Sequence, residues 1–94
     1  MYYVLIYHNH SSYLEERRKY RAEHLRLLQA LVDSGELSLA GAVDDPADLS
    51  LYIFKGPKAK AAAEEFVASD PYVANGLVEK WAVRKWNAVV GVDL

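Results

Sequence analysis

Hydrophobic and polar positions along this chain follow two periods, one of two residues and one of about 3.6. Tyr2 to Tyr7 is β-branched, aromatic and aliphatic throughout, which predicts a buried strand. Asn9-His10-Ser11 breaks it. Ser12 followed by Glu15 has the spacing of a capping box, so a first helix is expected to begin there and run to Ser34, with Gly35 as its left-handed C-cap. Glu36 to Val43 alternates Leu37, Leu39 and Gly41 against Ser38, Ala40 and Ala42, a half-buried second strand. Asp44-Asp45-Pro46-Ala47-Asp48 is a polar turn. Leu49 to Phe54 is a third strand, in a hairpin with the second. Gly56-Pro57 closes it and opens an alanine-rich second helix, Lys58 to Ser69. Pro71 pushes Asp70 out of the helical region and ends that helix. Asp70 as N-cap with Pro71 at the first position suits a one-turn helix ending at Asn75-Gly76. Val78 to Val90 is the last strand, with Trp81 and Val83 on one face and Ala82, Trp86, Ala88 and Val90 on the other.

The order β-α-β-β-α-β is that of the ferredoxin-like split arrangement, an α+β fold with an antiparallel sheet and both helices on one face. The strands are apolar on both sides, so the second sheet face needs a cover. A second copy of the chain supplies one economically, which predicts a homodimer with the Val89 to Leu94 tail adding contacts at the edge.

The first helix carries the chemistry. With His24 at zero and about 100° per residue, Leu31, Tyr13 and Arg17 fall within about 20° of it, and Leu28, Tyr20, Leu27 and Arg21 within about 60°. Glu15, Lys19, Ala22, Arg26, Gln29 and Asp33 lie opposite. An imidazole and two guanidiniums on a core-facing stripe must meet something polar, because unpaired buried charge is too costly. Arg17 and Arg21 can hold an anion there, or snorkel toward the helix start. Asp70, fixed at an element junction, can orient a histidine and raise its basicity. Taken alone, His24 is more often a structural residue than a functional one.

Composition narrows the partners. The 94 residues argue for one domain, 1–94, and a net charge of −2 with interspersed signs gives no nucleic-acid footprint. There is no cysteine, no signal-peptide pattern and no run of transmembrane length, so a cytoplasmic protein with no membrane partner is expected. His8 and His10 point the same way from a strand end but lack a third ligand, and Asp44, Asp45 and Asp48 lack the spacing of a calcium loop. No phosphate-binding glycine loop occurs. Neither a metal nor an organic cofactor is expected.

Arg21-Ala22-Glu23-His24-Leu25, Gly35-Glu36-Leu37, Ala40-Gly41, Asp70-Pro71-Tyr72 with Gly76, and Arg84-Lys85-Trp86 together resemble the YciI-like (YCII-related) family over nearly the whole chain. The resemblance implies a dimeric α+β barrel of ferredoxin-like protomers and an active site centred on a histidine and an aspartate, here His24 and Asp70. One branch of the family eliminates chloride from a chlorinated hydroxyquinol. Ala42 and Lys85 stand where the family often has proline. The expectation is therefore a small cofactor-free enzyme of lyase or isomerase type, acting on a small anionic or aromatic metabolite. His24 and Asp70 would be catalytic, and Arg21, Arg17 and Tyr72 substrate-binding. The alternatives are a non-catalytic dimeric binding module for a small ligand, and a structural or partner-binding protein.

Overall fold

The computed structural model describes residues 1–91. Its elements are β1 (Tyr2–Asn9), α1 (Tyr13–Glu16), a 3-10 turn (Arg17–Lys19), α2 (Arg21–Asp33), β2 (Leu37–Val43), β3 (Leu49–Lys55), α3 (Ala59–Ser69), α4 (Pro71–Ala74) and β4 (Val78–Trp86). The four strands form one sheet in the order β2-β3-β1-β4, with every neighbouring pair antiparallel. This is the ferredoxin-like α+β fold, the protomer architecture of the dimeric α+β barrel class.

Strand pleating divides the side chains. Leu5 and Tyr7 of β1 and Tyr52 and Phe54 of β3 point to the helices and are almost completely buried. There they meet Leu28 of α2 and Ala59, Ala62, Ala63, Phe66 and Val67 of α3 in one core. The alanines let α3 lie close on the sheet, and Phe66 fills the space between strands and helices. Burying an aromatic of this kind contributes about 1.5–3 kcal/mol. The opposite face carries Val4 and Ile6 of β1, Leu51 and Ile53 of β3, and Leu39, Val43 and Trp86 toward the edges. Leu39, Val43 and Trp86 are exposed in the protomer.

Several boundaries differ from the sequence reading. The single helix expected from Ser12 to Ser34 is two helices joined by the 3-10 turn at Arg17–Lys19. Three consecutive cations follow a helix of one turn, and the chain tightens there with Tyr20 N–H bonding Arg17 C=O at 3.0 Å. The expected capping box is absent: Ser12 makes no side-chain cap, and its own N–H donates to His10 Nδ1 at 3.0 Å. The histidine at the strand end has taken the serine. Leu37 and Leu39 were expected on one face of β2, but a register shift between them sends Leu37 to the core opposite Phe54 and Leu39 to the open face opposite Ile53. The last strand ends at Trp86 rather than Val90. Val89 and Val90 are exposed beyond it, and the remainder of the expected edge tail, residues 92–94, lies outside the described residues. Asn9, expected to break β1, is its buried last residue: its Nδ2 donates to Ser50 Oγ at 3.0 Å and to Ala47 C=O at 3.3 Å, tying β1 to β3 and to the loop before it.

Candidate active site

Two chain segments 46 residues apart meet at the helix-covered face of the sheet. His24 lies in the first turn of α2, on the same stripe as Leu28, so the helix that buries Leu28 in the core also drives the imidazole inward. Asp70 is the joint between α3 and α4. Its backbone is extended (φ −74°, ψ 120°), its side chain accepts from Tyr72 N–H at 3.1 Å as the N-cap of α4, and Pro71 occupies the first helical position. The cap holds the carboxylate in one place. His24 Nδ1 lies 2.8 Å from Asp70 Oδ1, with His24 5% and Asp70 1% exposed.

This geometry assigns the imidazole tautomer. Opposite a carboxylate, which accepts, Nδ1 is the donor nitrogen, and Nε2 is then the basic nitrogen, on the side of the ring away from Asp70. The carboxylate has a further donor: Tyr7, from the middle of β1, bonds Oδ2 at 2.7 Å. Burial first, and then the charge of Asp70, hold the Tyr7 phenol far above the ordinary tyrosine range, so it remains a donor. The sequence reading did not single out Tyr7. In a strand of apolar residues it reads as core. The available signal is that a buried tyrosine hydroxyl needs a partner.

Tyr72 forms one wall. Its ring lies flat on the imidazole, with centroids 3.7 Å apart and planes 4° from parallel. Tyr13 meets Tyr72 edge-on at 5.8 Å, Tyr52 approaches His24 edge-on at 6.1 Å, and Phe66 lies 5.8 Å from the imidazole. The Tyr72 hydroxyl is buried and makes no well-formed hydrogen bond, although the Arg21 side chain is close enough to act on it as a donor. Its pKa is raised, by burial first and then by Tyr13, and the nearby charges of Arg21 and Arg17 offset this only in part.

The arginines are placed less deeply than the continuous helix implied. Arg21 begins α2 and is exposed, and Arg17 is half-buried in the 3-10 turn, with its guanidinium 5.4 Å from the centroid of Tyr13. Arg17 therefore lies in a different element from His24, ahead of α2. Both arginines sit beside the phenol of Tyr72 rather than on the dyad, and neither makes an ion pair among the described residues. His8 is half-buried and His10 is exposed and bonded to Ser12. Among the described residues no three His, Cys, Asp or Glu side chains cluster as metal ligands, and no helix is long and apolar enough to cross a membrane. A cavity of about 800 Å³ lies away from the dyad, between Tyr2, Leu39, Ile53 and Trp86 and the segment after β4.

Comparison with known proteins identifies the family and the fold. Residues 1–87 match the model of the YCII-related domain. The chain is 34% identical over 97 aligned positions to the YciI proteins of Escherichia coli and Shigella flexneri, covering 95% of this chain and 99% of each relative. Among solved structures it is similar to 5-chloro-2-hydroxyhydroquinone dehydrochlorinase (TftG) from Burkholderia phenoliruptrix in complex with 2,5-dihydroxybenzoquinone. That match has a TM-score of 0.74 at 21% identity and covers 93% of this chain and 94% of that one. A NIPSNAP family protein from Agrobacterium tumefaciens aligns with a TM-score of 0.57 at 17% identity, over 88% of this chain and 87% of that one. The structural matches share the fold, and the family match spans both halves of the dyad. The chain belongs to the YCII-related (YciI-like) family.

Proposed function

We propose that this protein is a small enzyme of lyase or isomerase type that moves protons on a small anionic or aromatic metabolite, without a cofactor. The observation that carries the reading is the buried His24–Asp70 pair, 2.8 Å apart, which leaves Nε2 as the basic nitrogen. His24 takes a proton from an acidic carbon beside a carbonyl. Asp70 stabilises the imidazolium that forms. Arg21 and Arg17 hold an anionic oxygen of the substrate, and Tyr72 is the wall against the imidazole. The proton returns to another atom in an isomerisation, or a leaving group departs in an elimination. The likeness in fold to a dehydrochlorinase agrees with an elimination.

The active form in this reading is a cytoplasmic homodimer. The apolar open face of the sheet, with Leu39, Val43 and Trp86 exposed, is the surface a second copy would cover.

A competing reading takes His24, Asp70 and Tyr7 as a structural polar network, and the burial of all three favours it. Exchange separates the two. In deuterated buffer, a panel of small keto acids and quinols is followed by NMR for deuterium incorporation at acidic carbons. Exchange that is lost in a folded His24→Ala variant supports the enzyme. A variant that loses stability, with a parent protein that exchanges nothing in the panel, favours the structural network.

A further inference from the structure

Asp70 has two oxygens, and the dyad uses one. Oδ1 receives His24 Nδ1 at 2.8 Å and Tyr72 N–H at 3.1 Å, while Oδ2 receives the Tyr7 hydroxyl at 2.7 Å. The geometry points to Tyr7 as a positioning residue of the dyad, which through Oδ2 sets how much of the Asp70 negative charge is available to His24. The catalytic consequence rests on the acid–base reading above; the electrostatic coupling can be measured independently of it.

A hydrogen bond to an ionised carboxylate draws charge toward its donor, and in a water-excluded site that effect is strong. The charge that Tyr7 holds on Oδ2 is charge that does not stabilise an imidazolium on Oδ1. Tyr7 therefore moderates the base. Its ring is fixed for this role: it is fully buried, packed against Tyr52 at 4.8 Å and stacked on Phe66 at 6.4 Å, and it belongs to a strand paired on both sides. Removing the hydroxyl does not free Asp70, because Oδ1 still caps α4 through Tyr72 N–H. The carboxylate keeps its place and only its charge distribution changes.

Other groups face the pair from every packed element. Tyr52 comes from β3, Tyr72 from α4 and Tyr13 from α1, with the guanidiniums of Arg17 and Arg21 beside Tyr72. Of these and Tyr7, only Tyr7 bonds the carboxylate through its side chain. The fields of the rest are common to the parent and the Tyr7 variants, so they cancel in a comparison.

The test is the titration of His24 followed by its ring ¹⁵N resonances, in the parent, in Tyr7→Phe, and in protein carrying 3-fluorotyrosine at position 7, a stronger hydrogen-bond donor. The phenylalanine variant should shift the His24 midpoint up by about half to one pH unit, roughly threefold to tenfold in proton affinity. It should also move the Nδ1–H proton downfield. Fluorotyrosine should move both in the opposite direction. A purely structural Tyr7 has no reason to produce shifts of opposite sign. Should Tyr7→Phe fail to fold, the fluorotyrosine arm decides alone. Midpoints unchanged within about 0.2 unit, or shifts of the same sign in both variants, would overturn the inference. The measurement needs no substrate, so a parent protein that turns over nothing sinks the catalytic reading while the titration still decides the role of Tyr7.

Discussion

Asp70→Ala and Asp70→Asn should differ sharply in stability, and the structure gives the size of the difference. Alanine removes the N-cap of α4, a loss of about 1 kcal/mol. It also leaves the buried Tyr7 hydroxyl and His24 Nδ1–H without an acceptor, at about 1–3 kcal/mol each. A total of about 3–7 kcal/mol is expected, against the ~5–14 kcal/mol typical of a domain this size. Asparagine keeps the volume and is as good an N-cap as aspartate. Its carbonyl can take the two donors now on Oδ1, and its amide can donate to the phenol oxygen of Tyr7. Its expected cost is about 1–3 kcal/mol, from the lost charge on the hydrogen bonds and from the Tyr7 O–H proton, which loses its acceptor. Urea unfolding followed by far-UV circular dichroism measures both, and equal slopes against denaturant would show that one transition is being compared. Two variants of equal cost, or an alanine variant that costs under about 1 kcal/mol, would refute the picture of Asp70 as acceptor for three donors.

Other expectations are independent of that one. His24→Ala should abolish deuterium exchange on any substrate the parent accepts, while circular dichroism still shows a folded chain; undiminished exchange would exclude His24 as the base. Gly76, at φ 79° with open space around an added Cβ, should cost about 1–2 kcal/mol when changed to alanine, from backbone conformation alone, as thermal melts can show. Tyr7, Tyr52 and Tyr72 all titrate higher in the folded chain than the ordinary 10.0. Groups raised in this way contribute fully below that value and lose their contribution as pH rises above it, so stability should fall beyond about pH 10. A flat stability profile up to pH 12 would contradict this reading. Ile53→Glu, on the open sheet face, should give a monomer by light scattering at micromolar concentration if a second copy covers that face, and a parent already monomeric would remove the dimer.

The order of elements was legible because each strand announces itself by composition and each turn by glycine or proline. Gly35 and Gly76 both adopt the positive φ that their turns need. The break at Arg17–Lys19 was not legible, because the 100° periodicity through Tyr13, Arg17, Tyr20 and His24 continues unbroken across it. What the periodicity cannot express is that Tyr13 packs edge-on against Tyr72, a contact across 59 positions of chain. The shift at Leu37–Leu39 was hidden for a similar reason: strict alternation cannot reveal a bulge. At the site, His24 was found by helix phase and Asp70 by its capping position, both local signals. Tyr7 lies 63 residues from Asp70, and its hydrogen bond exists only when the joint between α3 and α4 is packed on the sheet.

The strand order carries a consequence for how the chain is made. β1 sits between β3 and β4 and is hydrogen-bonded to both, so Tyr2 pairs with Lys55 on one side and Trp86 on the other. During synthesis the first strand can pair with β3 once about three-fifths of the chain has appeared, but its other edge stays bare until β4 follows. An unpaired apolar edge is a template for another nascent chain. Both tryptophans lie on that closing strand. Their fluorescence on refolding therefore times the moment at which the vulnerable edge is sealed.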